Sequence, residues 1–248
     1  MGGFRQGETA GRWVLCVVAS LAVKLLVVGP ASAQQAQPVP RSLSIERFHP
    51  MPTQAKSLLA VSTSEVLPHL TPAAGLVVHG ADDSLQVTER RGGESQTIRL
   101  VDERLTGELT VALGLFDRFD LGFALPLVLQ QGEALLNDRG ERGELAGLAF
   151  GDMRVVPRVQ LLAPAKAKGF GLALAAPTSI PVGDDTSYNS TGVFQVEPRF
   201  VADWRPFEGT TVAVNVGWQV RPERVAVDRV SDDAFVYGLG VEFPTGLS

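Results

Sequence analysis

The chain has 248 residues, of which 45% are hydrophobic and 20% charged, with a net charge of −5 and a single cysteine. That balance excludes a disordered chain and a helical membrane protein. The acidic charge and an aromatic content of 7% give nucleic acid neither an electrostatic nor a stacking foothold.

Arg5 and Arg12 precede an apolar run from Trp13 to Val28, interrupted by Ser20 and Lys24; Pro30 and Ala31-Ser32-Ala33 follow. Basic start, apolar run and small-residue triplet predict an export signal over residues 1–33, cleaved near Ala33. Cys16 lies within it, so the mature chain carries neither disulfide nor thiol chemistry. Residues 34–57 read as a mobile N-terminal segment. It is Gln/Pro-rich to Arg41, with a short strand or plug around Ile45 and Phe48. Residues 58–248 read as the barrel. Leu58–Ser62 is a candidate strand, and Val66 to Pro72 a proline-punctuated connection.

From Ala73 a strand rhythm begins. Ala73–Gly80 and Ser84–Arg90 are predicted strands around a tight turn, Ala81-Asp82-Asp83. Gln96–Leu115 is a long strand, bent where apolar parity slips between Leu100 and Val101. Phe116-Asp117-Arg118 turns the chain, and Phe119–Leu129 returns. Leu105, Leu109, Val111, Leu113 and Leu115 share one face, as do Phe119, Leu121, Phe123, Leu125, Leu127 and Leu129. A period of two means strand, and about eleven residues is the length a tilted strand needs to cross a bilayer. Gln130 to Gly151 reads as a long polar loop. Asp152–Leu162, Phe170–Val182, Val193–Trp204, Thr210–Val220 and Ala234–Phe243 complete nine strands.

Connections alternate. They are short after Gly80, Leu115, Leu162 and Trp204 and longer after Leu129, Val182 and Val220, as periplasmic turns and outer loops do. Phe116, Phe119, Phe170, Trp204, Phe207 and Phe243 gather at the short-turn ends, like half of an interfacial aromatic girdle. The predicted fold is therefore all-β, an antiparallel up-and-down transmembrane β-barrel of nine or ten strands.

Several short motifs occur in order: Ile45-Glu46-Arg47-Phe48-His49-Pro50, Leu67-Pro68-His69-Leu70-Thr71-Pro72, Leu100-Val101-Asp102-Glu103-Arg104-Leu105-Thr106, Ala112-Leu113-Gly114-Leu115-Phe116-Asp117-Arg118, Gly151-Asp152-Met153-Arg154 and Ile180-Pro181-Val182-Gly183-Asp184. Through them, residues 43–243 resemble the barrel region of OmpA-associated bacterial outer-membrane proteins. The resemblance implies an outer-membrane location, lipid as the surrounding partner, insertion by the barrel-assembly machinery, and neither catalytic residue nor cofactor; it leaves the oligomeric state open. In that family the barrel commonly precedes an OmpA-like peptidoglycan-binding domain, and this sequence ends before one, at Ser248. Bacterial single-chain barrels have even strand numbers. The expectation is that Leu58–Ser62 supplies a tenth strand or that the barrel is truncated.

The predicted inward set is Arg154, Arg158, Gln160, Gln195, Glu197, Arg199, Asp203, Asn215 and Gln219. Mixed charges on facing strands suit a salt-bridged interior or a narrow pore lining. His49, His69 and His79 lack metal-ligand spacing, and Asp82-Asp83, Asp184-Asp185 and Asp232-Asp233 read as solvated turn residues. No G-x-S-x-G elbow and no histidine in the loops after Leu129 argue against a barrel hydrolase. The expected role is structural or that of a passive small-solute pore. The alternative is a soluble periplasmic β-sandwich or lipocalin-like binder, whose strands alternate too.

Overall fold

The computed structural model describes residues 44–46, 48–91, 94–133, 144–164, 169–184, 187–222, 224–226 and 229–244. The predicted export signal and residues 34–43 lie outside them. The described chain is all-β. After one 3-10 turn at Gln54–Lys56 come β1 (Ser57–Leu58), β2 (Val61–Ser62), β3 (Pro72–Arg91), β4 (Glu94–Leu115), β5 (Phe119–Glu133), β6 (Glu144–Phe150) and β7 (Met153–Leu162). They are followed by β8 (Gly169–Ala175), β9 (Thr178–Ile180), β10 (Gln195–Val196), β11 (Arg199–Arg205), β12 (Thr211–Gln219), β13 (Arg224–Ala226), β14 (Arg229–Ser231) and β15 (Ala234–Glu242).

One antiparallel meander dominates, in the order β15-β12-β11-β8-β7-β5-β4-β3. Three of its rows are interrupted strands. β6 and β7 both pair with β5 on either side of Gly151-Asp152. β8 and β9 both pair with β7 around Ala176-Pro177, and β10 and β11 continue the next row around Glu197-Pro198. Proline cannot donate to a ladder, which fits the breaks at Pro177 and Pro198, while Pro126 and Pro157 are accommodated within β5 and β7. The sheet curls strongly into a half-barrel. Its edges are β3 and β15, and no pairing joins them among the described residues.

The sheet is also sheared. A continuous row of partners runs Gly114, Asp120, Arg158, Ala175, Arg199, Gly217, Val236. It begins beside the short-turn end of β4 and finishes beside the long-loop end of β15. Strands so staggered are tilted across the axis of curling, which is the geometry of barrel walls.

Three expectations need correction. Ala81-Asp82-Asp83 is not a turn. β3 is one strand of 20 residues paired with β4 along both arms, with a register shift between Asp82 and Leu85. Asp83 takes φ +49° there, a left-handed bulge residue that an aspartate tolerates. On the partner strand the same irregularity leaves both Leu100 and Val101 fully buried, which accounts for the parity slip. Leu58–Ser62 is not a tenth wall strand: β1 and β2 form a two-rung hairpin separate from the main sheet. The predicted Gln130–Gly151 loop is strand at both ends, since β5 runs to Glu133 and β6 spans Glu144–Phe150; residues 134–143 lie outside the described residues. Among the described residues the wall therefore has eight rows rather than nine.

Candidate functional site

The concavity of the sheet is filled by the chain's own residues 44–46 and 48–71, which run as a thread from one rim to the other. At the long-loop end the Ile45 amide donates to the Tyr188 carbonyl, 3.3 Å. The Glu46 carboxylate accepts from Arg104 Nη2 at 3.0 Å and from Thr106 Oγ1 at 3.2 Å. Lower down, the Pro50 carbonyl accepts from Arg154 Nη2 at 2.8 Å. The β1–β2 hairpin packs Leu58 and Val61 on Ala213 of β12 and faces Gly238 and Gly240 of β15. Leu67 and Pro68 leave beside Gly114 at the short-turn end, where β3 starts. Met51, Thr53, Ser62 and Ser64 are 2% exposed or less, so the thread is enclosed rather than draped.

It fits because the wall opposite it has been stripped of side chains. Inward positions alternate as Gly75, Ala112, Gly114, Gly122, Ala124, Gly171, Ala173 and Ala213. A Cβ on Gly114 would stand 2.0 Å from the Pro68 carbonyl oxygen, and one on Gly171 1.9 Å from Ser64 Oγ. At Gly114 the obstructing atoms are backbone, so no other residue fits; at Gly171 a larger residue would require the Ser64 side chain to move.

Ion pairs bolt the wall and the thread together. Arg158 grips Asp120 with both arms, Nε to Oδ1 at 2.8 Å and Nη2 to Oδ2 at 2.5 Å, with both side chains fully buried. The same guanidinium donates to the carbonyls of Lys56, Thr63 and Glu65. Arg154 pairs with Glu108. Asn215 accepts from the Ser62 amide and donates to the Ser62 carbonyl, both at 2.8 Å. Its replacement by leucine strands two buried backbone groups. We expect a loss of about 2–4 kcal/mol, read as a lower urea midpoint for detergent-folded protein.

Of the predicted inward residues, Arg154, Arg158, Gln195, Asp203 and Asn215 are buried. Arg158, Gln160, Asp203 and Asn215 all reach the thread's backbone. Gln195 and Gln219 bond each other at 3.1 Å near the long-loop end, and Arg199 pairs with its neighbour Glu197 rather than with the thread. The predicted inward set left out Glu108, Asp120, Thr110, Arg104, Gln130 and Asn189, which are buried in the same interior. The available signal was parity: Glu108 and Thr110 alternate with the outward leucines of β4 as Arg154 and Arg158 alternate with the outward residues of β7.

Glu65 closes the short-turn side, paired with Lys56 at 2.9 Å and Arg205 at 2.7 Å. Burial pushes its carboxyl up, but the hydrogen bonds and charges of Lys56 and Arg205 outweigh this and hold it below the usual carboxylate range. The folded state therefore gains from this group above the unfolded carboxylate value and loses that gain as pH falls through the lowered one. The expected result is that Glu65→Gln lowers stability at neutral pH and flattens the acid limb of the stability–pH profile, its difference from the parent shrinking as pH falls.

The convex face is the reverse of the interior. Leu76 is 66% exposed, Leu109 49%, Leu129 52% and Leu239 53%. The six predicted girdle residues, Phe116, Phe119, Phe170, Trp204, Phe207 and Phe243, are all exposed at the short-turn ends, with Phe170 and Trp204 stacked at 6.1 Å. A second exposed aromatic group, Trp218, Phe235 and Tyr237, lies on the long-loop halves of β12 and β15. His69 accepts from the Phe116 amide and donates its own amide to Asp117, bracing the β4–β5 turn. His79 meets Phe48 edge-on at 5.0 Å. Among the described residues no group of three or more His, Cys, Asp or Glu is placed to hold a metal ion.

No family model matches the chain, and no similar protein was found among curated sequences or solved structures.

Proposed function

We propose that this chain is a lipid-embedded β-barrel of the bacterial outer membrane, of the OmpA-associated type, with a structural role and a lumen closed at rest by residues 50–67. The observation that carries the reading is the inverted polarity of the sheet. Ion pairs, amides and small residues are buried inside, while a continuous belt of leucine, valine and aromatic side chains faces outward. Water-soluble monomers rarely present an apolar surface of that extent; lipid requires one. A soluble sandwich would bury its leucines between two sheets, and here they are on the outside of one.

The aromatic groups at both ends of the outward belt suit the two membrane interfaces, and the tilted strand array suits a barrel wall. Unpaired edges in lipid cost several kcal/mol for each unsatisfied group, so in the membrane β3 and β15 are expected to be sealed.

The test is heat-modifiability of the outer-membrane fraction. An unboiled band migrating faster than the boiled one, with protein extracted only by detergent, is expected. Protein recovered folded from the soluble periplasm would overturn the reading in favour of a soluble binder.

A further inference from the structure

The groups that hold the thread grip its backbone and mostly ignore its side chains. Asn215 gives one residue both an acceptor and a donor, as a neighbouring strand would. Asp203 Oδ1 accepts from the Ser64 amide at 2.5 Å, and Asp120 Oδ2 from the Leu67 amide at 3.2 Å. Gln160 donates to the Ser64 carbonyl at 3.0 Å, Arg154 to that of Pro50 at 2.8 Å, and Arg158 to three carbonyls between Lys56 and Glu65. Several of the thread's polar side chains turn to the thread itself, Lys56 to Glu65, Thr63 Oγ1 to the Lys56 carbonyl and Ser62 Oγ to Met51, while Glu65 also meets Arg205 and Ser57 Oγ meets Arg158 on the wall. Opposite them the wall offers glycine and alanine, which leave room for a backbone to approach.

We infer that the concave face is a binding surface for extended polypeptide backbone, with residues 50–67 as its resident ligand, and that a peptide supplied from outside takes the same groups once that segment is cut free. Main-chain recognition of this kind gives affinity with broad tolerance of sequence. The inference concerns the inside of the sheet and does not depend on what surrounds the outside.

The test uses the full chain with a protease recognition sequence inserted after the exposed His69, folded in detergent and then cut. Two fluorescent synthetic peptides are offered. One carries residues 48–67; the other is the same with Thr53, Gln54, Lys56 and Glu65 replaced by alanine. Both are expected to enter the cut protein and not the uncut one, with affinities within about tenfold of each other, and Asn215→Leu is expected to weaken both by about tenfold or more. Failure of either peptide to enter a cut protein that stays folded would overturn the inference. So would a preference of about a hundredfold or more for the unaltered peptide, which would make the thread a side-chain-specific plug. If cutting unfolds the sheet, amide exchange in the uncut chain decides. Slow exchange at Ser62 and Ser64, with Ser62 alone released by Asn215→Leu, supports backbone capture; free exchange at both in the folded protein overturns it.

Discussion

Replacing Arg158 by methionine is expected to destabilise the folded protein by about 3–5 kcal/mol, the cost of breaking a buried ion pair from one side. The size follows from what the guanidinium serves. It binds both oxygens of Asp120, and neither side chain has any exposed surface. It also donates to three carbonyls of the thread. Methionine fills much of the volume but leaves a buried carboxylate with the Leu67 amide as its remaining partner. The double substitution Arg158→Met with Asp120→Leu removes the stranded charge as well. It should recover part of the loss, so the two changes are strongly non-additive. Urea unfolding in detergent, followed by tryptophan fluorescence, checks both. A loss below about 1 kcal/mol for the single change would be that of a solvated pair, and would contradict the enclosure of the site.

The parts of this fold that were legible in the sequence are those governed by a period of two. The Leu105–Leu129 hairpin reads directly because the outward leucines and inward small residues alternate without a fault, and β4 and β5 pair in that register from Glu103 to Gln131. The slip at Leu100 and Val101 was visible as a local fault in parity. Asp82-Asp83 was misread because two acidic residues after a glycine carry the same signal in a bulge as in a turn; only cross-strand pairing with β4 distinguishes them. Arg154 and Arg158 could be placed inside from alternation alone, but their acidic partners could not be assigned. Asp120 stands directly across from Arg158, and such adjacency comes from the order and stagger of strands. The thread was least legible of all. Apart from the two-rung β1–β2 hairpin, residues 48–71 have no strand periodicity, because many of their backbone hydrogen bonds go to side chains of the wall strands rather than to a ladder. Their trace lies in the wall instead: inward positions held by Gly75, Gly114, Gly122 and Gly171 leave a space that something must fill.

Excising residues 50–67 should convert a silent protein into a conducting one. In the proposed barrel the thread would occupy the lumen; within the curled sheet it is enclosed, with Met51, Ser62 and Ser64 showing no exposed surface. Intact protein reconstituted in a planar bilayer is therefore expected to show no steady single-channel current. Without the thread, the opposing glycines and alanines leave an open path lined by Arg154, Arg158, Asp120, Glu108, Asp203 and Asn215. Those groups lose their backbone partners and gain water, and Arg158 keeps Asp120, so the penalty is milder than that of a charge stranded in a dry core. A lining of mixed sign passes small ions with weak selectivity. Each arm requires a heat-modifiable sample, so that silence means a closed barrel and not an unfolded one. Steady current from the intact chain would show that the thread leaves the lumen unaided. A folded but silent deletion would show that the wall collapses on itself, as a narrow barrel whose interior is filled by its own side chains does.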